Sequence, residues 1–178
     1  MVAEVMGRHV GWIALHSGIA AGAHVICIPE VPMSLEEITA QVQRAHDRGR
    51  APLVVVSEGF TLKGMDEAYS DKGLDAFNRP RLGGIGEVLA PEIERLTGIE
   101  TRSTVLGHIQ RGGSPSAFDR VLATRLGLHA ADVVAEEAWG QMVSMKGTDI
   151  VRVSFEEALG ELNSVPLYRY DEAAALFG

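Results

Sequence analysis

The fold class is decided by residues 2–29, which read VAEVMGRHVGWIALHSGIAAGAHVICIP. Val2 to Val5 is an apolar run of strand length, and a second apolar run, from Val25 to Ile28, stops at Pro29. Between them, apolar residues recur at helical spacing from Trp12 to Ala20. The stretch therefore predicts a β-α-β unit, in which a helix joins two parallel strands.

The same alternation continues beyond this unit. Ser34 with Glu37 forms a capping-box pattern that predicts the start of the next helix. The further predicted elements are a helix ending at Gly49, a strand from Leu53 to Val56, a helix from Ile85 ending at Gly98 and a strand from Thr104 to Leu106. We therefore predict an α/β fold with three layers, α/β/α, around a mostly parallel, Rossmann-like sheet.

The C-terminal third has a different pattern. Ser114 and Pro115 predict the start of a long helix that reaches about Glu137. After it we predict a hairpin over 142–153, a short helix behind Ser154 and Glu157, and a small helix around Asp171 to Phe177.

Composition limits the function classes. The 178 residues carry a net charge of −8, which argues against a broad surface for nucleic acid or an anionic membrane. No apolar run approaches the roughly 20 residues that cross a bilayer, and the start lacks the features of a signal peptide. The expected location is cytoplasmic, with no nucleic-acid or membrane partner. Cys27, the single cysteine, lies in an apolar run and is expected to be buried.

The candidate site lies at the ends of the predicted strands, because parallel strands place their C-terminal loops at one edge of the sheet. These loops are Met6-Gly7-Arg8, Pro29-Glu30, Ser57-Glu58-Gly59 and the segment 107–115. An arginine fork beside a helix start, as at Arg111, suits a phosphate monoester. The residues alone leave open that Arg111 makes a surface ion pair and that His108 is a satisfied core histidine.

Two motifs carry a resemblance to a known family. Residues 107–115, GHIQRGGSP, followed by Ala117-Phe118-Asp119-Arg120, resemble the signature of 6-phosphofructokinases. Residues 4–11, EVMGRHVG, resemble that family's second substrate motif. The end, Tyr168-Arg169-Tyr170-Asp171, resembles actinobacterial members. The resemblance implies the C-terminal, substrate-binding half of a bacterial-type enzyme that phosphorylates fructose 6-phosphate in glycolysis.

The resemblance also implies roles for individual residues. It places Met6, Gly7, Glu58, His108 and Arg111 in contact with fructose 6-phosphate. Arg102 would reach the site of a neighbouring subunit, which implies a homotetramer. Arg8 would lie near the transferring phosphoryl group and offset its charge in the transition state.

The resemblance further predicts how the chain is organised. Residues 1–111 with about 156–178 would form the fructose 6-phosphate-binding domain. The long helix and hairpin over 112–155 would pack on a donor-binding domain outside this chain. The donor, ATP or pyrophosphate with Mg²⁺, and the catalytic aspartate would belong mainly to that absent half, so we expect a fragment that is inactive alone.

Two alternatives remain open at this stage. One is a stand-alone phosphosugar-binding or regulatory module without turnover. The other is a dinucleotide-binding domain, although Met6 to Gly11 lacks the G-x-G-x-x-G spacing. His24 stands where regulated family members carry an effector-site glutamate, which argues against effector binding.

Overall fold

The structure, a computed structural model, describes residues 1–64, 83–175 and 177. The polar, irregular stretch predicted over 61–81 lies mostly outside the described residues. The chain divides into two units. The first unit comprises Met1–Arg111 with Ser164–Gly178, and the second comprises Gly112–Asn163.

A parallel sheet forms the centre of the first unit. Its strands are β1 (Val2–Val5), β2 (Val25–Cys27), β3 (Val54–Ser57) and β4 (Ser103–Val105), in the order β2-β3-β1-β4. The neighbouring strands pair in parallel, with Val2 opposite Val54 on one side and Ser103 on the other. The sheet order places β1 between β3 and β4.

Helices cover both faces of this sheet. The helices are α1 (Trp12–Ala21), α2 (Leu35–Asp47), α3 (Ile85–Thr97), α4 (Ala117–Ala135), α5 (Phe155–Gly160) and α6 (Leu167–Ala174). Of these, α4 and α5 belong to the second unit. The arrangement of the first unit is the predicted three-layer α/β/α fold.

The strand sequences explain the two cores. Alternate residues of a strand face opposite sides of a sheet, and Val25 and Cys27 pack under α2 and α3 while Ile26 packs under α1 and α6. Both sides are apolar because both are covered, so β2 and β3 read as continuous apolar runs. Cys27 is fully buried, as expected, and burial raises the pKa of its thiol.

Local sequence signals set the helix ends. The predicted capping box of α2 is present, with Ser34 Oγ accepting from Glu37 N–H and Glu37 accepting from Ser34 N–H. Helix α3 begins after Gly84 and ends at Gly98, whose φ of 71° is the left-handed conformation common behind helices.

The second unit contains α4, a hairpin and α5. The hairpin strands β5 (Gln141–Lys146) and β6 (Asp149–Ser154) pair antiparallel, with Lys146 opposite Asp149. Ser154 Oγ accepts from Glu157 N–H and caps α5, as predicted. None of the described helices is both long and apolar enough to cross a membrane.

Two predicted helix starts were wrong. Helix α4 begins at Ala117, not behind Ser114, because Ser116 and Asp119 form a reciprocal capping box. Helix α6 begins at Leu167, before the predicted start near Asp171, since Tyr170 and Ala173 on its inner face pack into the core. The Tyr170 hydroxyl also donates to the carbonyl of Ile26 at 3.0 Å.

The first unit resumes later than predicted. We expected the return near residue 156, but it begins at Ser164. The intervening α5 packs on β5 and β6 and therefore belongs to the second unit.

Candidate functional site

The carboxyl edge of the sheet gathers most of the predicted site residues. Met6, Gly7 and Arg8 follow β1, Glu58 follows β3, and a 3-10 turn, Gly107–Arg111, follows β4. Because β1 lies between β3 and β4, its loop has a neighbour on each side. The site is therefore a row of three loops with Met6 to Arg8 in the middle.

Hydrogen bonds join the β1 loop to the β3 loop. Glu58 N–H donates to the Val5 carbonyl at 2.9 Å, which extends the strand pairing by one step. The Glu58 side chain then accepts from Gly7 N–H, with Oε1 at 3.2 Å. The Gly7 carbonyl in turn accepts from Ser57 Oγ at 2.6 Å and from Gly59 N–H at 2.9 Å. Glu58 is thus held half-buried beside Gly7.

Two glycines permit this close approach. Gly7 has a φ of +141°, and a Cβ there would lie 2.3 Å from Ser57 Oγ. A Cβ on Gly59 would lie 1.8 Å from the carbonyl oxygen of Arg8, which is backbone and cannot rotate away. Glycine is therefore required at Gly59 to bring half-buried Arg8 next to the β3 loop.

The β4 side is joined through a residue that sequence reasoning did not assign to the site. The last backbone bond between β1 and β4 runs from Leu106 N–H to the Glu4 carbonyl at 3.0 Å. Immediately beyond it, Gln110 Oε1 accepts from Met6 N–H at 2.7 Å. Gln110 lies inside the motif at 107–115, and this position could have indicated that it belongs to the site. Its hydrogen-bond partner, Met6 N–H, could not be predicted from the sequence.

His108 and Arg111 lie on the 3-10 turn. Residues three apart in such a turn share a side, and both side chains belong to exposed residues. An imidazole and a guanidinium on one side of a turn offer several hydrogen-bond donors to an anion. This part of the site therefore suits a phosphate group.

The start of α4, in the second unit, is capped by its own side chains. The N–H of Asp119 is taken by Ser116 Oγ, and the Asp119 carboxylate accepts from Ser116 N–H at 2.8 Å. This negative charge occupies the helix start that a phosphate would need. The Ser116 hydroxyl and hydrogen bonding to the Ser116 backbone also hold the pKa of Asp119 below its usual value.

Arg102 is not brought together with the other predicted site residues. It precedes β4, so it lies at the amino edge of the sheet, whereas the 3-10 turn lies at the carboxyl edge. Its guanidinium forms an exposed ion pair with Glu100 at 2.8 Å. Within one chain Arg102 therefore does not join His108 and Arg111.

Glu30 lies in the loop that follows β2, the remaining strand of the sheet. Its carboxylate accepts from Gly11 N–H, with both oxygens within 3.1 Å, and from Val165 N–H at 2.9 Å. Because Gly11 precedes α1, the carboxylate occupies the helix start where a dinucleotide pyrophosphate would bind. This contact and the β2-β3-β1-β4 order argue against the dinucleotide-binding alternative.

His24 lies away from these loops, at the start of β2. Its Nδ1 accepts from Leu53 N–H at 3.2 Å, while Nε2 is buried without a hydrogen-bond partner among the described residues. Burial, and secondarily the charge of Arg50, lowers the pKa of His24.

The described residues contain no group of three or more His, Cys, Asp or Glu side chains that could hold a metal ion.

Comparisons with known proteins agree with the motifs. The chain is 54% identical over all 178 residues to a pyrophosphate–fructose 6-phosphate 1-phosphotransferase of Amycolatopsis methanolica. It is 49% identical over 179 aligned residues to an ATP-dependent 6-phosphofructokinase of Mycobacterium leprae. In both cases the whole chain aligns with 52% of the relative, so the chain spans about half the length of these curated relatives.

Solved structures share the fold. A pyrophosphate-dependent phosphofructokinase from Marinobacter aquaeolei matches with a TM-score of 0.74 and 25% identity, over 94% of this chain and 42% of that one. The Pichia pastoris phosphofructokinase in the T-state matches with a TM-score of 0.68 and 34% identity, over 98% of this chain and 17% of that one. Residues 1–134 match the family model described as Phosphofructokinase, and with the two motifs at the carboxyl edge this match shows that the chain belongs to the phosphofructokinase family.

Proposed function

We propose that this chain is the substrate-binding half of a 6-phosphofructokinase, which phosphorylates fructose 6-phosphate to fructose 1,6-bisphosphate in glycolysis. Met6, Gly7 and Glu58 hold the sugar, and His108 and Arg111 hold its 6-phosphate. Arg8 offsets the charge that develops on the transferring phosphoryl group. Mg²⁺ and the donor, ATP or pyrophosphate, bind to the part of the enzyme that lies outside this chain, and the chain alone binds without turnover.

One observation carries this proposal. The turn that carries His108 and Arg111 lies on one side of the β1 loop, and the carboxylate of Glu58 lies on the other. A sugar phosphate needs both, because its ester oxygens accept hydrogen bonds and its hydroxyls donate them. The arrangement therefore matches the two ends of one ligand.

Arg102 has a separate place in the proposal. We assign it to the site of a neighbouring subunit in a homotetramer. Its position at the amino edge supports this assignment, and so does its weak partner, since an exposed ion pair such as Arg102–Glu100 contributes little stability and is easily exchanged. Residues 112–163 would then pack on the donor-binding part of the enzyme.

Thermal unfolding with and without ligand tests the proposed function. At about 100 times its Kd, fructose 6-phosphate should raise the Tm by roughly 5 °C or more, because it binds only the folded chain. Fructose without phosphate should have little effect. Arg111→Ala should abolish the shift.

Arg95→Ala is the matched control, since Arg95 pairs with Glu92 on the exposed side of α3, away from the site. It should leave the ligand-induced shift unchanged. A full shift in Arg111→Ala would show that the 6-phosphate site is elsewhere.

A further inference from the structure

The 3-10 turn has few constraints of its own. None of its residues is buried, so packing does not fix where His108 and Arg111 lie. The backbone bond from Ile109 N–H to the Leu106 carbonyl, at 3.3 Å, is local and does not tie the turn to β1. A contact outside the turn is needed to set the distance between the His108 and Arg111 side chains and the β1 loop.

Two side chains accept hydrogen bonds from successive N–H groups of the loop that follows β1. On the β3 side, Glu58 Oε1 accepts from Gly7 N–H at 3.2 Å. On the β4 side, Gln110 Oε1 accepts from Met6 N–H at 2.7 Å. Successive N–H groups of a strand point to opposite neighbours, so each acceptor holds one side of the same loop.

The two acceptors differ in charge. Glu58 is a carboxylate, whereas Gln110 is neutral and lies on the same turn as His108 and Arg111. A carboxylate at position 110 would attract the Arg111 guanidinium and repel an anion bound beside it. A neutral amide supplies the acceptor without that penalty.

We propose that Gln110 is a positioning residue that fixes the spacing between the anion-binding turn and the β1 loop, so that both ends of one sugar phosphate are held together. The identity of the ligand in this inference rests on the proposed function. The structural part of the inference rests on the Met6–Gln110 contact alone. Gln110 acts through Met6 and the turn.

Amide hydrogen exchange at Met6 tests the contact without any ligand. Gln110→Met has a similar length but no acceptor, and it should speed exchange of the Met6 amide by about tenfold. Gln110→Glu keeps an acceptor oxygen and should restore the protection. Gln43→Met, the same change at a half-buried position of α2 far from Met6 in the sheet, should have no effect on this exchange. Unchanged exchange in Gln110→Met would overturn the proposal.

Binding measurements then test the spacing. NMR titrations of the 178-residue chain should show fructose 6-phosphate binding weakened about tenfold in Gln110→Met. Inorganic phosphate, which uses only His108 and Arg111, should bind Gln110→Met and wild type equally. If the binding of both ligands were weakened equally, the turn itself would be disrupted, and this result would overturn the spacing role of Gln110. Failure of the wild type to bind either ligand would refute the proposed function, while the Met6 exchange result would still decide the role of Gln110.

Discussion

Glu4 shows how a single buried charge can hold an element in place. It lies in β1 with 2% of its surface exposed, and its carboxylate accepts from Gly84 N–H at 3.0 Å and Gly86 N–H at 2.8 Å. These groups form the start of α3, where a negative charge is favourable. The motif at 4–11 was recognised from the sequence, but this role was not.

Replacing Glu4 by Gln should lower the free energy of unfolding by about 2–3 kcal/mol, because the charge is lost and an amide donor is placed against N–H donors. Urea unfolding measures the change. Glu87→Gln is the matched control, since Glu87 lies exposed in the first turn of the same helix. Similar losses in both variants would contradict the assigned role of the Glu4 contacts.

His24 should make stability depend on pH. Because its pKa is lowered in the folded chain, the unfolded chain takes up a proton first, near the ordinary value of 6.5. The free energy of unfolding should therefore be highest above that pH and should decrease as the pH falls below about 6.5.

Unfolding curves at several pH values test this dependence. His24→Asn keeps an acceptor for Leu53 N–H but does not titrate, so it should flatten the slope. An unaltered slope in His24→Asn would assign the pH dependence to other groups.

At the scale of elements, the β1 and β3 loops depend on a glycine. Gly59→Ala should lower the free energy of unfolding by about 3 kcal/mol or more and weaken sugar-phosphate binding, because the new methyl group would overlap the Arg8 carbonyl. Gly127→Ala, in the middle of α4 with open space around it, should instead stabilise the chain by about 0.5–1 kcal/mol. Thermal or urea unfolding of the two variants measures both effects. Equal stability of wild type and Gly59→Ala would mean that the loops can separate.

The elements themselves were largely predictable from the sequence. Continuous apolar runs indicated strands covered on both faces, and the Ser34 and Glu37 pair marked the start of α2 correctly. The start of α4 was missed although the same rule applied, because Ser114 has Ala117 three residues later whereas Ser116 has Asp119. The broader form of the capping box, which also accepts Asp at the fourth position, would have chosen Ser116.

The supporting contacts of the site could not be predicted in the same way. The motifs identified the loops that contain Met6, Glu58 and Arg111. The partners of Gln110 and Glu30 are backbone N–H groups 104 and 19 residues away, and a backbone group carries no sequence signature. Strand order brings these groups together, and that order depends on packing of the whole first unit.

At the scale of the whole molecule, the second unit exposes much of its apolar surface. On α4, Phe118 is 64% exposed and Val121 60% exposed, and Trp139 beyond the helix is 69% exposed. The chain spans about half the length of the curated relatives it matches. We expect this apolar surface to pack on the donor-binding part of the enzyme, and in the isolated chain it should find a second copy instead.

Light scattering across a range of concentrations tests this expectation, because self-association raises the apparent mass as concentration increases. Phe118→Ser with Val121→Ser should shift association to higher concentration, since burying each apolar side chain contributes about 1.5–3 kcal/mol to the contact. Leu96→Ser, at an exposed apolar position of the first unit, should change it little. A constant monomer mass for the wild type would show that the apolar surface of α4 is not an interface. An equal effect of Leu96→Ser would show that the association is nonspecific.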